Sequence, residues 1–326
     1  MDLNTLLQQL ADGEFHSGAE LGRKLAISRT AIWKQIKKLR ELGLEIDSSA
    51  GRGYCLAEPL SLLDKNVILA SISNRQALPA DCVDIHLTTG STNADALAKA
   101  QAGYSRYLVL AEHQDSGRGR RGRQWVSPLA CNLYLSLLWS FEEGVGALEG
   151  LSLVTALAVA RAVERLGYRD TGVKWPNDVL RDGRKLAGIL LEIQGDVSGP
   201  CQVVIGIGLN INMPARLARA IEQPYSSLRA DNAALVDRNE VAGCLLDELL
   251  KVLAVFAVEG FAPWVEEWQS RDVYLGRAVA IHSGNKVMQG VNKGVSKTGA
   301  LLLETETGLC RIHGGEVIPS LRPLQE

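Results

Sequence analysis

The sequence predicts an α/β (α+β) multidomain chain: an N-terminal winged helix-turn-helix, a central mixed α/β domain and a small C-terminal β-barrel. Three observations predict it. Residues 1–60 space their leucines and isoleucines for helices and then turn into a glycine-centred hairpin. Residues 61–270 alternate strand-like and helix-like runs. Residues 271–326 shift to short strands separated by glycine turns.

In the first part, Leu3, Leu6, Leu7 and Leu10 mark one helical face, which Asp12-Gly13 ends. Ser17-Gly-Ala-Glu20 reads as a capping box, in which serine and glutamate each satisfy an orphan N–H of a second helix carrying Leu21 and Leu25. Ser28 caps a third helix whose Ile32, Ile36 and Leu39 face inward. Gly43 ends it, and Leu44 to Leu56, with Gly51-Arg-Gly53 in the middle, reads as a two-stranded wing. From Arg23 to Arg40 seven residues are basic and none is acidic. Laid in a major groove, the third helix would present Ser28, Arg29, Thr30, Trp33, Lys34 and Lys37 to bases or phosphates. A solvated basic face on a protein-docking module is the blander alternative; charge sign, short turn and wing favour DNA.

Ala57-Glu-Pro-Leu-Ser61 reads as a linker, and a short helix follows it. Leu151 to Leu166 is a helix of small apolar residues whose Arg161, Glu164 and Arg165 mark a solvated end. Val203 to Asn212 reads as a buried strand leading into a polar turn. Glu240 to Val258 is an amphipathic helix, and Trp264 and Trp268 are core residues one turn apart. The closing strands are Ala278–His282, Lys286–Gly290, Ala300–Glu304 and Leu309–His313. Ser283-Gly284-Asn285, Thr298-Gly299, Thr307-Gly308 and Gly314-Gly315 punctuate them.

The 326 residues are 46% hydrophobic and 22% charged, with a formal net charge of -2, an ordinary soluble composition. A near-neutral chain is not a generic polyanion binder, so any nucleic-acid surface has to be local. With no basic-then-apolar leader and no long unbroken apolar run, a cytoplasmic protein without a membrane partner is expected. Six cysteines at 55, 82, 131, 201, 244 and 310 form no Cys-x-x-Cys pair, which speaks for packed, reduced thiols rather than zinc or a nucleophile.

The chemistry concentrates in Gly117-Arg-Gly-Arg-Arg-Gly-Arg123, between the strand-like runs Tyr107–Ala111 and Asn132–Leu138. Four guanidiniums on three glycines repel one another unless an anion sits among them. Glycine lets backbone N–H groups approach that anion, and arginine supplies forked donors for phosphate or carboxylate. The run formally matches G-x-G-x-x-G, but that dinucleotide fingerprint must open a helix, and here Arg123-Gln-Trp-Val-Ser-Pro128 leads into a strand. Arginine-glycine RNA-binding tails are repetitive and disordered, not wedged between strands. Lys174-Trp-Pro-Asn-Asp178 adds an ammonium, an amide and a carboxylate at the end of another strand. In Lys185-Leu-Ala-Gly-Ile-Leu-Leu-Glu192, Gly188 permits either close approach of a ligand or a bulge.

Together with Ser91-Thr-Asn93 and Trp125, these motifs resemble those of biotin–protein ligases; with the N-terminal helix-turn-helix, the chain resembles their bifunctional ligase and biotin operon repressor branch. The resemblance runs from Gly13-Glu-Phe-His-Ser17 to Gly314-Gly-Glu316. It implies a class II synthetase-like catalytic domain and an SH3-like barrel. The implied reaction joins biotin and ATP into biotinyl-5′-AMP, with Mg²⁺ accompanying ATP through ligands that the sequence does not name. Biotin then passes to a lysine of a biotin carboxyl carrier protein. Operator DNA and a homodimer formed in the adenylate-bound state are the further partners implied. By the same resemblance Ser91, Thr92, Asn93 and Gln114 hold the biotin head group. Gly117, Arg118, Gly119, Arg120, Arg121 and Trp125 line the biotin and phosphate side, with Gly188 beside the ligand and Asn210 facing the nucleotide. Lys174 meets the carboxylate or adenylate phosphate, and Arg118 and Lys174 are the expected catalytic pair. Three positions depart from the pattern: Gly90 stands where relatives often carry an acid, Gln124 replaces a frequent lysine, and Tyr225 is the residue available to cover adenine. A biotin-sensing transcription factor without transferase activity and a lipoate–protein ligase are the competing readings.

Overall fold

The computed structural model describes residues 3–195, 199–214, 221, 223–229, 233–283, 286–313 and 320–323. The N-terminal unit comprises α1 (Leu3–Leu10), α2 (Gly18–Lys24), α3 (Arg29–Glu41), β1 (Ile46–Ser49) and β2 (Gly53–Leu56), the two strands pairing antiparallel as the expected wing. Leu6, Leu7, Leu10, Leu21, Ile32, Ile36 and Leu39 are fully buried, so the helical spacing does place one face inside. Ser28 Oγ accepts from Ala31 N–H at 3.2 Å. Only the serine half of the Ser17–Glu20 box is realised: Ser17 Oγ accepts from Glu20 N–H at 3.1 Å, while the Glu20 carboxylate pairs with Lys24. Arg40 forks onto the wing, its Nη2 lying 2.6 Å from both Ile46 O and Ser48 Oγ, so this member of the basic run braces β1.

The central unit follows with α4 (Lys65–Ala70), β3 (Val83–His86), α5 (Thr92–Gln101), β4 (Arg106–Ala111), β5 (Leu133–Phe141) and α6 (Leu151–Arg165). It continues with β6 (Thr171–Lys174), β7 (Asp178–Arg181), β8 (Arg184–Gly195), β9 (Cys201–Leu209), α7 (Arg238–Glu259) and α8 (Val265–Arg271). Its seven strands form one mixed sheet in the order β3-β4-β5-β9-β8-β7-β6, in which β3 and β4 alone are parallel. Period-two alternation divides its faces. Leu108, Leu110, Leu135, Leu137, Val203, Ile205 and Ile207 join the main core with α6 and α7; Tyr107, Val109, Leu138 and Val204 pack on α5 instead. The helical run Val145–Arg165 is long and apolar enough for a bilayer by composition, yet α6 is core. Of the residues expected at a solvated end, Arg165 is exposed while Arg161 and Glu164 are half-buried, and all three are ion-paired, with the Asp247–Glu248 pair, Glu267 and Arg271 respectively. α7 supplies Asp247 and Glu248, and α8 supplies Glu267 and Arg271.

The C-terminal strands β10 (Ala278–Ser283), β11 (Lys286–Val295), β12 (Leu301–Thr305), β13 (Gly308–Ile312) and β14 (Ser320–Pro323) form an antiparallel sheet ordered β13-β12-β11-β10-β14. Gly284-Asn285 and Gly314-Gly-Glu316 lie outside the described residues. Val279, Ile281, Leu301 and Leu303 belong to the same core cluster as the central sheet, so this unit is packed on its neighbour rather than tethered to it.

The linker is equally fixed. Arg238, fully buried at the start of α7, pairs with Glu112 and donates to Ser61 O at 2.8 Å and Asn132 O at 2.7 Å. Glu112 in turn accepts from Leu63 N–H at 2.7 Å. A buried pair of this kind stands only because its remaining donors and acceptors are also satisfied.

Candidate functional site

The site is a cavity of ≈ 760 Å³ on the sheet face opposite α6 and α7. Sequence parity opens it. Along β9, Val203, Ile205, Ile207 and Leu209 point to the core, and the alternate positions include Gly206 and Gly208. A Cβ on Gly206 would lie 2.2 Å from Asn93 Oδ1, and one on Gly208 2.4 Å from the Trp125 ring. These glycines let the N-terminus of α5 and the arginine loop settle directly on the sheet.

A hydrogen-bonded chain fixes the floor. Thr92 donates through N–H and Oγ1 to Gln114 Oε1 at 3.0 and 3.1 Å, and Gln114 Nε2 donates to Ser127 Oγ at 3.1 Å. Ser136 Oγ on β5 lies 2.7 Å from Thr92 Oγ1 and 2.6 Å from Asn93 Oδ1. Asn93 Nδ2 donates to Glu192 Oε2 at 2.6 Å, and that oxygen also accepts from Arg118 Nη2 at 2.9 Å. Ser91 is buried at the cavity edge and makes no capping bond with its hydroxyl.

The arginine loop lies between β4 and β5, as the sequence places it. Gly117 is buried beneath it, its carbonyl accepting from Trp125 N–H at 2.8 Å. The loop turns at Arg121 and Gly122, with φ of 59° and 71°. Its guanidiniums take different environments. Arg120 reaches inward to Asn177 Oδ1 at 2.5 Å; burial pulls its pKa down to about 10, with Arg121 adding in the same direction and Asp178 opposing. It therefore stays charged at neutral pH in a largely dry setting. Arg118 is exposed and held by Glu192, and Arg121 donates to His282 O of β10 at 2.8 Å. Arg118, Gly119, Arg120 and Arg121 all line the cavity.

Lys174-Trp-Pro-Asn-Asp178 is the hairpin between β6 and β7, with a cis Trp175–Pro176 bond and Lys174 paired opposite Asp178. Trp175 is buried in the main core at the cavity wall, and its Nε1 donates to Gly299 O at 3.1 Å, anchoring the C-terminal unit to this hairpin. Asn177 Nδ2 donates to Ile189 O at 2.8 Å, which explains why an amide stands there. Asp178 lies 2.8 Å from Lys185 Nζ and 4.0 Å from Lys174 Nζ, so two ammoniums share one carboxylate.

Gly188 does line the cavity, but what approaches it is the protein itself: a Cβ there would stand 3.1 Å from Lys185 Cε and 3.2 Å from the Trp125 ring. The bulge is real and lies two residues earlier, where Val179 and Leu180 face Ala187 and Lys185 and leave Leu186 unmatched. Asn210 is buried and spends its amide on Ser226 O at 3.0 Å, so it holds the 223–229 segment that brings Tyr225 to the cavity rim. The buried indole Nε1 of Trp125 has no hydrogen-bond partner, leaving a donor inside the site. Asn177 and Asp178 are read from sequence as offering hydrogen bonds or a metal ligand, whereas Lys185, Glu192 and Ser136 carry no such expectation. Lys185 and Glu192 stand at the two ends of one of the quoted motifs, and Ser136 is the one polar residue in an otherwise apolar strand segment, Leu133–Leu138 apart from Tyr134.

On α3, Arg29, Thr30, Trp33, Lys34 and Lys37 share an exposed face, Trp33 being 53% exposed; Lys37 lies 3.8 Å from Glu41, and Ser28 serves as the helix cap.

Residues 2–55 match an HTH domain, 86–210 the Biotin/lipoate A/B protein ligase family and 274–318 the Biotin protein ligase C terminal domain. The "Bifunctional ligase/repressor BirA" of Escherichia coli K12 is 39% identical over 321 residues, covering 98% of this chain and 97% of that protein. The chain belongs to the biotin protein ligase family. Among other family members, the "Biotin--[acetyl-CoA-carboxylase] ligase" of Paracoccus denitrificans is 37% identical over 70% of this chain and 97% of its own length. The solved biotin protein ligase from Aquifex aeolicus, in complex with biotin and ATP, aligns with a TM-score of 0.62 at 29% identity. That alignment covers 74% of this chain and 98% of that one. The three matched segments of this chain coincide with the N-terminal winged helix, the central α/β unit and the antiparallel C-terminal sheet described above.

Proposed function

We propose that the chain is an ATP-dependent biotin–protein ligase that also binds DNA as a biotin-responsive repressor. The observation that carries the enzymatic reading is the convergence of Arg120, Lys174 and Lys185 on one cavity beside Asp178. Two anions, a carboxylate and a triphosphate, must meet for adenylation, and fixed positive charge lowers the cost of bringing them together. A biotin carboxylate oxygen attacks the α-phosphorus of ATP, the bond to pyrophosphate breaks, and biotinyl-5′-AMP forms. The amine of an acceptor lysine, having lost its proton to solvent, then attacks the acyl carbon, and AMP leaves. No enzyme nucleophile is needed, consistent with thiols such as Cys201 and Cys244 that burial pushes up in pKa.

Thr92, Asn93 and Gln114, organised through Ser136, would orient the biotin head group, and Tyr225 is placed to stack on adenine. Among the described residues lining the cavity, Asp178 is the only carboxylate. A single carboxylate suits Mg²⁺, which takes most of its ligands from phosphate and water and would neutralise charge on the leaving pyrophosphate.

Transfer of labelled biotin to a biotin-acceptor domain tests the reading, with Lys174→Ala beside wild type. Transfer by wild type alone establishes it. A folded protein that binds biotin and transfers none is a sensor, and transfer of lipoate but not biotin makes it a lipoate ligase.

For the repressor half, a homodimer favoured by bound adenylate would bring two α3 helices to paired half-sites. Footprinting a palindromic operator with and without adenylate tests this, and protection that does not depend on adenylate refutes the regulation. Lys34→Ala is expected to weaken DNA binding uniformly across sequences and to reduce the slope of log affinity against log salt by about 0.9. An unchanged slope would remove Lys34 from the phosphate contacts.

A further inference from the structure

We propose that Glu192 is a positioning residue: it holds Arg118 while the anion site is empty and surrenders it to an incoming phosphate. The proposal rests on the ligase reading for the identity of the anion, not for the contact. Glu192 Oε2 takes two donors, Asn93 Nδ2 at 2.6 Å and Arg118 Nη2 at 2.9 Å. Its two sides differ in rigidity. Asn93 is buried, seated on Gly206 and bonded to Ser136, so it fixes the carboxylate in place. The Arg118 side chain is 44% exposed and reaches the carboxylate through one N–H. A single exposed contact of this sort is weak, whereas phosphate offers the forked acceptors that arginine binds best.

The neighbouring Arg120 shows the contrast. It is half-buried and hydrogen-bonded to a neutral amide, Asn177, with the Asp178 charge nearby. Glu192 thus stands in for substrate at one of the loop's guanidiniums and not at the other. Its charge keeps Arg118 within reach of the cavity and competes with whatever anion enters.

Calorimetric titration of the full chain with inorganic pyrophosphate, and separately with ATP, tests this. Glu192→Gln preserves volume and the acceptor for Asn93 Nδ2 while removing the charge. It is expected to tighten pyrophosphate binding about threefold to fivefold, with a steeper salt dependence, and in steady state to act on KM for ATP. In an Arg118→Gln background the same substitution is expected to change affinity less than about twofold, since the pair is already broken. Unchanged or weaker binding in Glu192→Gln overturns the proposal. Equal tightening in both backgrounds also overturns it, since Glu192 would then act only as a distant like charge. A wild type that transfers no biotin but shows the predicted cycle refutes the ligase reading and leaves the Glu192 role standing; transfer without the cycle does the reverse.

Discussion

Lys185→Ala is expected to slow biotin-dependent pyrophosphate release by about 10²- to 10³-fold, the scale of losing one preorganised donor to developing charge. Lys185 Nζ lies 2.8 Å from Asp178 and 5.5 Å from the centre of the Trp125 ring, with only 17% of its side chain exposed. Among the described residues lining the cavity, Lys174, Lys185 and the loop arginines outnumber the single carboxylate Asp178, so the pocket carries a surplus of positive charge before ATP arrives. Removing either lysine reduces that surplus and takes one ammonium from the cavity that has to accept a triphosphate. Lys174→Ala is therefore expected to be severe as well, with the fold intact by circular dichroism. Less than a tenfold loss from both substitutions would place the chemistry elsewhere.

The second large effect is expected at Arg120. Arg120→Gly should accelerate dissociation of biotinyl-5′-AMP about tenfold to 100-fold, reflecting about 1.5–3 kcal/mol for a charge-assisted hydrogen bond. Stopped-flow dissociation of preformed adenylate reads this directly. A released acyl-adenylate reacts with bystander lysines, so indiscriminate biotinylation of an added lysine-rich protein is the accompanying sign. From sequence, Arg118 is the expected phosphate-facing donor. The geometry transfers the larger effect to Arg120, because Arg118 is exposed and already paired, whereas Arg120 is held in a dry setting where electrostatic contacts are strong. A larger effect of Arg118→Gly than of Arg120→Gly would reverse that ranking.

The winged helix is legible in the sequence almost residue by residue. Helix caps at Ser17 and Ser28 and the inward spacing of Ile32, Ile36 and Leu39 are local properties, decided within one or two turns. The mixed sheet is legible for the same reason: the Val-Ile-Gly alternation of β9 states which face is core and which must stay small. Partnership is what stays hidden. Arg161 looks like a solvent-facing charge until Glu267 of α8 pairs with it, and Trp175 looks like part of a ligand motif until Gly299 accepts its N–H.

The sequence by itself determined the three-part order, the anion-binding character of the 117–123 loop and the resemblance that names the chemistry, since composition, period and motif are carried in neighbouring residues. Tertiary structure alone decided which loop guanidinium turns inward, that Lys185 rather than Lys174 makes the closer contact with Asp178, and that Glu192 joins Asn93 to Arg118. Burial and pairing depend on distances between segments as far apart as the 99 residues separating Asn93 from Glu192, and no local pattern encodes such a distance.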